Sequence, residues 1–294
     1  MTDQLTLRRS AARPAPRARP RPAPSAERVV LLAAPLLFLA LMLAAPLAEL
    51  LGRSLADGGA ALRTALGSAV FLDAVWRTLW LALVATLVTV GLGTVYALAV
   101  AVGPAWVRAF LVAGLLVSLW TSVMVRTFGW MLLELPTGAL YWLLHNLGLA
   151  DAPLQVFQTT AAMYPAMVAV MLPFAVLAVL GPVTAIDRDL LAAAAVSGAG
   201  PLLTFRTVVL PSLRGAMISG GVLVFVMSLG FYVTPLLLGG PSNLTVSGLI
   251  NAQLRTANRI DVGAAMSVLL IAGTVGAYLI ADRLFRVSER WGGR

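Results

Sequence analysis

Long apolar runs separated by short polar, glycine- and proline-containing breaks set the pattern of this chain. A helix needs about 20 consecutive apolar residues to cross a bilayer. Six segments reach that length: 29–51, 78–102, 105–125, 158–183, 216–238 and 262–285. Gly103-Pro104 makes a short turn between the second and third. Residues 52–77 form a longer connection containing Gly58-Gly59 and an amphipathic piece at 71–76. Arg126 marks the end of the third run and opens a second long connection, 126–157, with Glu134, Pro136, Gly138, Asp151 and Pro153. Its Trp130, Tyr141 and Trp142 suit the membrane interface, where amphipathic rings collect. Gly91 and Gly93 are positions where two helices can approach closely. Pro165 and Pro173 remove backbone hydrogen bonds inside the fourth run and predict a bend there.

Residues 190–210 are apolar enough to raise the question of a seventh span. Ser197-Gly198-Ala199-Gly200-Pro201 breaks the middle, and Arg206 would sit in hydrocarbon at a cost of about 2.5–3.5 kcal/mol. The stretch therefore reads as two short helices outside the membrane. Asp187 can cap the first helix, which runs to about residue 197. Gly198 falls where a left-handed residue ends it, and Pro201 suits the first position of the second. That helix runs to about residue 209 and leads through Pro211 into the fifth span. With both ends tied to spans, the pair can transmit movement. The alanine run at 192–195 leaves a smooth helix side, and Leu190, Leu191, Leu202, Leu203 and Phe205 supply apolar surface. On these residues alone a docking element and an ordinary Ala-rich helical loop both stand.

Composition fixes the class. Hydrophobic residues make up 60% and charged residues 11%, mean hydropathy is +0.92, and soluble domains carry roughly a quarter charged. The expectation is an all-α membrane protein with six transmembrane helices. All 21 basic residues are arginine, and the formal net charge is +9. With the N-terminus inside, 15 of the 21 lie on the cytoplasmic side, leaving Arg53, Arg63, Arg77, Arg126, Arg255 and Arg259 outside. That bias places both termini in the cytoplasm and accounts for the basic excess without nucleic acid. Residues 1–28 hold seven arginines among prolines and alanines and read as a disordered cytoplasmic tail. Arg8-Arg9-Ser10 has the look of a twin-arginine export signal, but no compact apolar region follows it directly. The first run is read as an uncleaved helix.

Catalytic chemistry has few carriers. There is no cysteine, and the single histidine, His145, lies in a connection and reads as solvated. No P-loop occurs and no His/Glu metal spacing, so the chain is expected to be non-catalytic. An ion-gradient-driven secondary transporter is the alternative. It would show ionisable residues within spans and inverted repeats, and neither is evident.

Ala192-Ala193-Ala194, three residues, Gly198, nine residues, then Val208-Val209-Leu210-Pro211 resembles the docking loop of membrane subunits of binding-protein-dependent ABC importers. Ala192 stands where the family pattern has Glu. Over roughly residues 70–285 the chain is similar to type I ABC importer permeases of the spermidine/putrescine kind. Val125-Arg126-Thr127-Phe128-Gly129-Trp130, Leu172-Pro173-Phe174 and the run from Gly230 through Phe231 and Tyr232 to Gly240 carry the likeness.

The resemblance implies a MetI-like fold with a first helix and external segment at 29–69. A transport domain would cover 70–285 with its coupling loop at 184–212, and a cytoplasmic tail 286–294. It implies a multi-pass protein of the bacterial cytoplasmic (inner) membrane that forms the pore for a small, polyamine-like solute. Its partners would be a cytoplasmic ABC ATPase dimer that binds ATP and Mg, an external (periplasmic) solute-binding protein, membrane lipid, and a second, different permease subunit. No cofactor is expected in this subunit. Asp187, Leu190, Leu191, Ala192, Ala193, Ala194, Gly198, Phe205, Val208, Leu210 and Pro211 would form the ATPase-coupling loop. Phe231 and Tyr232 are candidates for the solute pathway, since aromatic faces attract ammonium groups.

Overall fold

The computed structural model describes residues 26–255 and 257–285, and among these every regular element is a helix. Of the tails expected at 1–28 and 286–294, residues 1–25 and 286–294 lie outside the described residues, and residues 26–28 already belong to the first helix. The described chain falls into two units divided after Ala48. Helix α1 spans Ala26–Leu66. Its portion in the first unit is apolar and outward-facing, with Leu36, Leu37, Phe38, Leu41 and Leu43 all exposed.

The second unit opens with the rest of α1. Residues 52–66, expected as connection, are helical. Ala and Leu are strong helix formers, and Ala61 and Ala65 bury against Phe71, Ala74, Val246 and Met266. Gly58 and Gly59 take φ of +66° and +78°, a local distortion that only glycine tolerates cheaply. The true break is Gly67-Ser68. The Ser68 hydroxyl accepts from the Phe71 N–H and starts α2, Ala69–Val102, so the piece at 71–76 belongs to this helix.

Helices α2, α6 (Thr160–Thr184) and α9 (Leu210–Leu229) form the core of this unit. Their contacts are made by small residues. A Cβ on Gly93 would lie 2.8 Å from the Ala175 Cβ, and one on Gly220 would lie 2.9 Å from the Ala178 Cβ. These backbones meet almost directly, as membrane helices do in the absence of a hydrophobic drive between them. Gly91, the other glycine singled out in the sequence, faces open space. Helix α6 continues through Pro165, Pro173 and Pro182 as one assigned element, with Thr159 capping it through the Ala162 N–H.

The third run is broken. Helix α3, Ala105–Trp120, ends at Thr121-Ser122, and α4, Val123–Glu134, leaves at 104°. The Thr121 hydroxyl donates back to Val117 O at 2.7 Å while both turn residues adopt extended backbone. Such hydroxyls compete with the helix ladder. Residues 126–157, expected as a loop, therefore contain most of α4 and also α5, Ala139–Asn146, where the exposed His145 ring stacks on Tyr141.

Helix α7 is Arg188–Val196, α8 is Pro201–Thr204, and a π-helical turn, Phe205–Val209, joins α8 to α9. The fifth run also breaks: α9 stops at Leu229, and α10 covers Val233–Leu238. Helix α11, Val246–Arg255, had no counterpart in the sequence reading. Its first N–H donates to the buried Thr78 hydroxyl at 3.0 Å, and Arg77 Nη1 donates to Leu244 O at 2.8 Å. Helix α12, Ile260–Phe285, completes the unit. Among the described residues, five helical stretches are long and apolar enough to cross a membrane, and the bent pair α3–α4 brings the number to six.

Candidate coupling loop and interrupted-helix seam

The segment between α6 and α9 carries several exposed apolar side chains. Asp187 Oδ1 accepts from the Asp189 N–H at 2.9 Å and starts α7. The helix ends at Ser197, Gly198 takes φ +76°, and Gly200 leads Pro201 into the first position of α8. Leu190, Leu202 and Leu203 are more than half exposed, and Val196 is 91% exposed. Ala192 and Ala193 are exposed, while Leu191 and Ala194 are partly covered. Exposed leucines at a helix–turn–helix cost free energy in water unless something covers them. Val196 was missed in the sequence because a single valine at a helix end gives no periodic signal.

Phe205, Val208, Leu210 and Pro211 lie where the structure departs from expectation. The second short helix was expected to end near residue 209 and to lead through Pro211 into a separate span beginning near residue 216. Instead the chain is helical from Pro201 to Leu229, because the turn widens rather than breaks. The Leu210 N–H reaches back five residues to Phe205 O. Pro211 has no N–H and its ring crowds the preceding turn, and a π turn relieves both problems. Behind this junction, Pro182, Pro211, Arg214 and Ser219 line a cleft of about 570 Å³.

The candidate pathway residues Phe231 and Tyr232 sit in the break between α9 and α10. Phe231, like Trp130 and Tyr164, packs on the buried cluster of Leu81, Met163, Met167 and Leu238. Tyr232 is partly buried. Helix α10 lies against α4, the other short helix that follows a break, and both contact α6. The Thr127 and Thr234 hydroxyls join the two at 3.0 Å, fully buried. Arg126 Nη1 donates to Ser118 Oγ at 3.0 Å and Ala169 O at 3.5 Å, tying the bend to α3 and α6. Glu134, expected in a loop, is 2% exposed at the end of α4. Its burial could not be read from the sequence because the bend that creates α4 was not.

The sequence model of the family described as binding-protein-dependent transport system inner membrane component matches residues 93–291. The spermidine/putrescine transport system permease protein PotB of Escherichia coli (strain K12) is 31% identical over 201 residues, covering 68% of this chain and 73% of the relative. PotB of Haemophilus influenzae is 26% identical over 224 residues, covering 75% and 78%. Among solved structures, a bacterial ABC transporter involved in import of the acidic polysaccharide alginate superposes with a TM-score of 0.71 at 18% identity. That match covers 88% of this chain and 96% of the other. It shows the fold. A second structure of the alginate transporter contains its pentasaccharide-bound periplasmic protein. The ion-gradient alternative has no support among these relatives. The chain belongs to the family of binding-protein-dependent transport system inner membrane components, multi-pass permease subunits of ABC importers.

Proposed function

We propose that α7 and α8 dock this permease onto a cytoplasmic ATPase dimer that binds ATP and Mg, and that the chain itself is non-catalytic. The observation that carries this reading is a glycine-hinged helix pair whose exposed Leu190, Val196, Leu202 and Leu203 need a covering surface. Asp187 and Gly198 set its shape, and Leu191, Ala192, Ala193, Ala194, Phe205, Val208, Leu210 and Pro211 complete the loop. Closure of the ATPase dimer would draw paired loops together and turn the pore outward, and hydrolysis would reset it. Residues 70–285 act as the transport domain, with both termini in the cytoplasm.

The solute is of the polyamine class, in keeping with the relatives named for spermidine and putrescine. A periplasmic binding protein delivers it, and a second, different permease completes the pore. Phe231 and Tyr232 line the solute path. The test is affinity purification of the tagged protein from native membranes, with and without Gly198→Asp. Recovery of a P-loop ATPase that is lost on substitution supports the reading. A stable permease recovered without ATPase, carrying solute down an ion gradient in liposomes, would overturn it.

A further inference from the structure

We propose that Glu134, together with Trp130 and Phe231, binds an ammonium group of the transported solute in the seam between α4 and α10. The inference rests on the polyamine-class reading above and adds a specificity-determining carboxylate to it.

The placement comes first. Helices α4 and α10 each follow an interruption of a membrane-length run. Irregular backbone at membrane depth survives only where protein buries it or a solute path needs it, and transporters place binding sites at such interruptions. The inner face of α4 reads Thr127, Trp130 with Met131, then Glu134, two helical turns in about 10.5 Å. Thr127 is fully buried on Thr234 of α10, and Glu134 is 2% exposed at the other end of the same face.

The chemistry comes second. Glu134 Oε2 has no hydrogen-bond partner, and no basic group among the described residues lies within salt-bridge distance of the carboxylate. Arg126, the one basic residue of α4, is committed to Ser118 and Ala169. Glu134 is also the last residue of a 12-residue helix, where the peptide dipoles add negative potential. Trp130 lies one turn earlier on the same face, and Trp130 and Phe231 pack on one cluster. An unpaired carboxylate one turn from Trp130, whose cluster Phe231 shares, at the negative end of a helix, is suited to a primary or secondary ammonium group.

Access comes third. In this conformation the carboxylate is covered and the Thr127–Thr234 bond holds the seam. Helix α10 follows α9, which is helical without interruption from the α8 end of the loop, so displacement of α9 moves α10 and opens the seam. The site therefore takes the ammonium group when the loop moves.

The test uses the co-purified transporter reconstituted in liposomes, with radiolabelled spermidine and putrescine as probes. Glu134→Gln should assemble, while its half-saturating spermidine concentration rises about tenfold or more, the scale of losing a hydrogen bond to a charged group. Glu134→Asp should recover most of that loss. Trp130→Phe should transport nearly as wild type, and Trp130→Leu should be impaired. If Glu134→Gln fails to assemble, the Trp130 pair and Glu134→Asp decide. Wild-type polyamine uptake with unchanged saturation in Glu134→Gln, or in both Glu134→Asp and Trp130→Leu, overturns this inference and leaves the polyamine reading intact. A wild-type assembly that imports neither polyamine overturns both.

Discussion

The hydroxyls of Thr127 and Thr234 lie 3.0 Å apart although they stand 107 positions apart in the chain. Thr127 already donates its one hydroxyl proton to Val123 O at 2.9 Å. Thr234 must therefore be the donor between them. Thr127→Val strands a buried donor, whereas Thr234→Val removes only one bond accepted by Thr127. The first should destabilise the protein by about 1–3 kcal/mol and the second by about 1 kcal/mol. Thermal unfolding of the purified protein in detergent checks the order, and equal effects would show the donor assignment to be wrong.

Two glycines separated by one residue should respond oppositely. Gly93→Ala places a methyl group 2.8 Å from the Ala175 Cβ and 3.3 Å from backbone atoms, so α2 and α6 must separate. The expected cost is about 1–3 kcal/mol. Gly91→Ala meets nothing within 4 Å and should be neutral or slightly stabilising. Melting temperature and yield from membranes measure both.

The π turn gives a third prediction. Deleting Thr207 removes one residue from the widened turn and should let it close as ordinary α-helix. It also changes how α8 meets α9, because the widened turn that joins them is gone. Membrane insertion should survive, while solute-stimulated ATP hydrolysis by the assembly falls toward its basal rate. Unimpaired stimulation would mean that the orientation of the loop is immaterial.

Much of the loop was legible because its signals are local. Asp187, Gly198 and Pro201 each act through the backbone within a few residues, and the structure uses them as their chemistry suggests. The long spans were legible from apolar length alone. The breaks at Thr121-Ser122 and Gly230 were not, because a run of apolar residues reads the same whether straight or bent. Helix α11 escaped because its first turn is held by Thr78, 168 residues earlier in the chain. Glu134 followed from the missed bend. A carboxylate after an apolar run looks like a loop residue until the backbone folds it back.

Asp187→Ala should loosen α7 by removing the acceptor for the Asp189 N–H, at about 1 kcal/mol of local helix stability. Asn can accept the same bond, so Asp187→Asn should restore it. Affinity of the detergent-solubilised permease for its ATPase, measured for both variants, should fall several-fold with Ala and recover with Asn. Loss in both would indicate that the Asp187 charge, rather than the cap, makes the contact.

The close approach of Gly220 to Ala178 has a consequence for how force travels. It brings α6 and α9 almost backbone to backbone, and a cleft lined by Pro182, Pro211 and Arg214 opens beside the pair toward the loop. A pinned pair with a gap on one side behaves as a lever about a fulcrum. Squeezing the gap from the loop end swings the far arm of α9, and α10 is carried on that arm. One glycine-scale contact, rather than any long side chain, would set the ratio between a push at the loop and the travel at the seam.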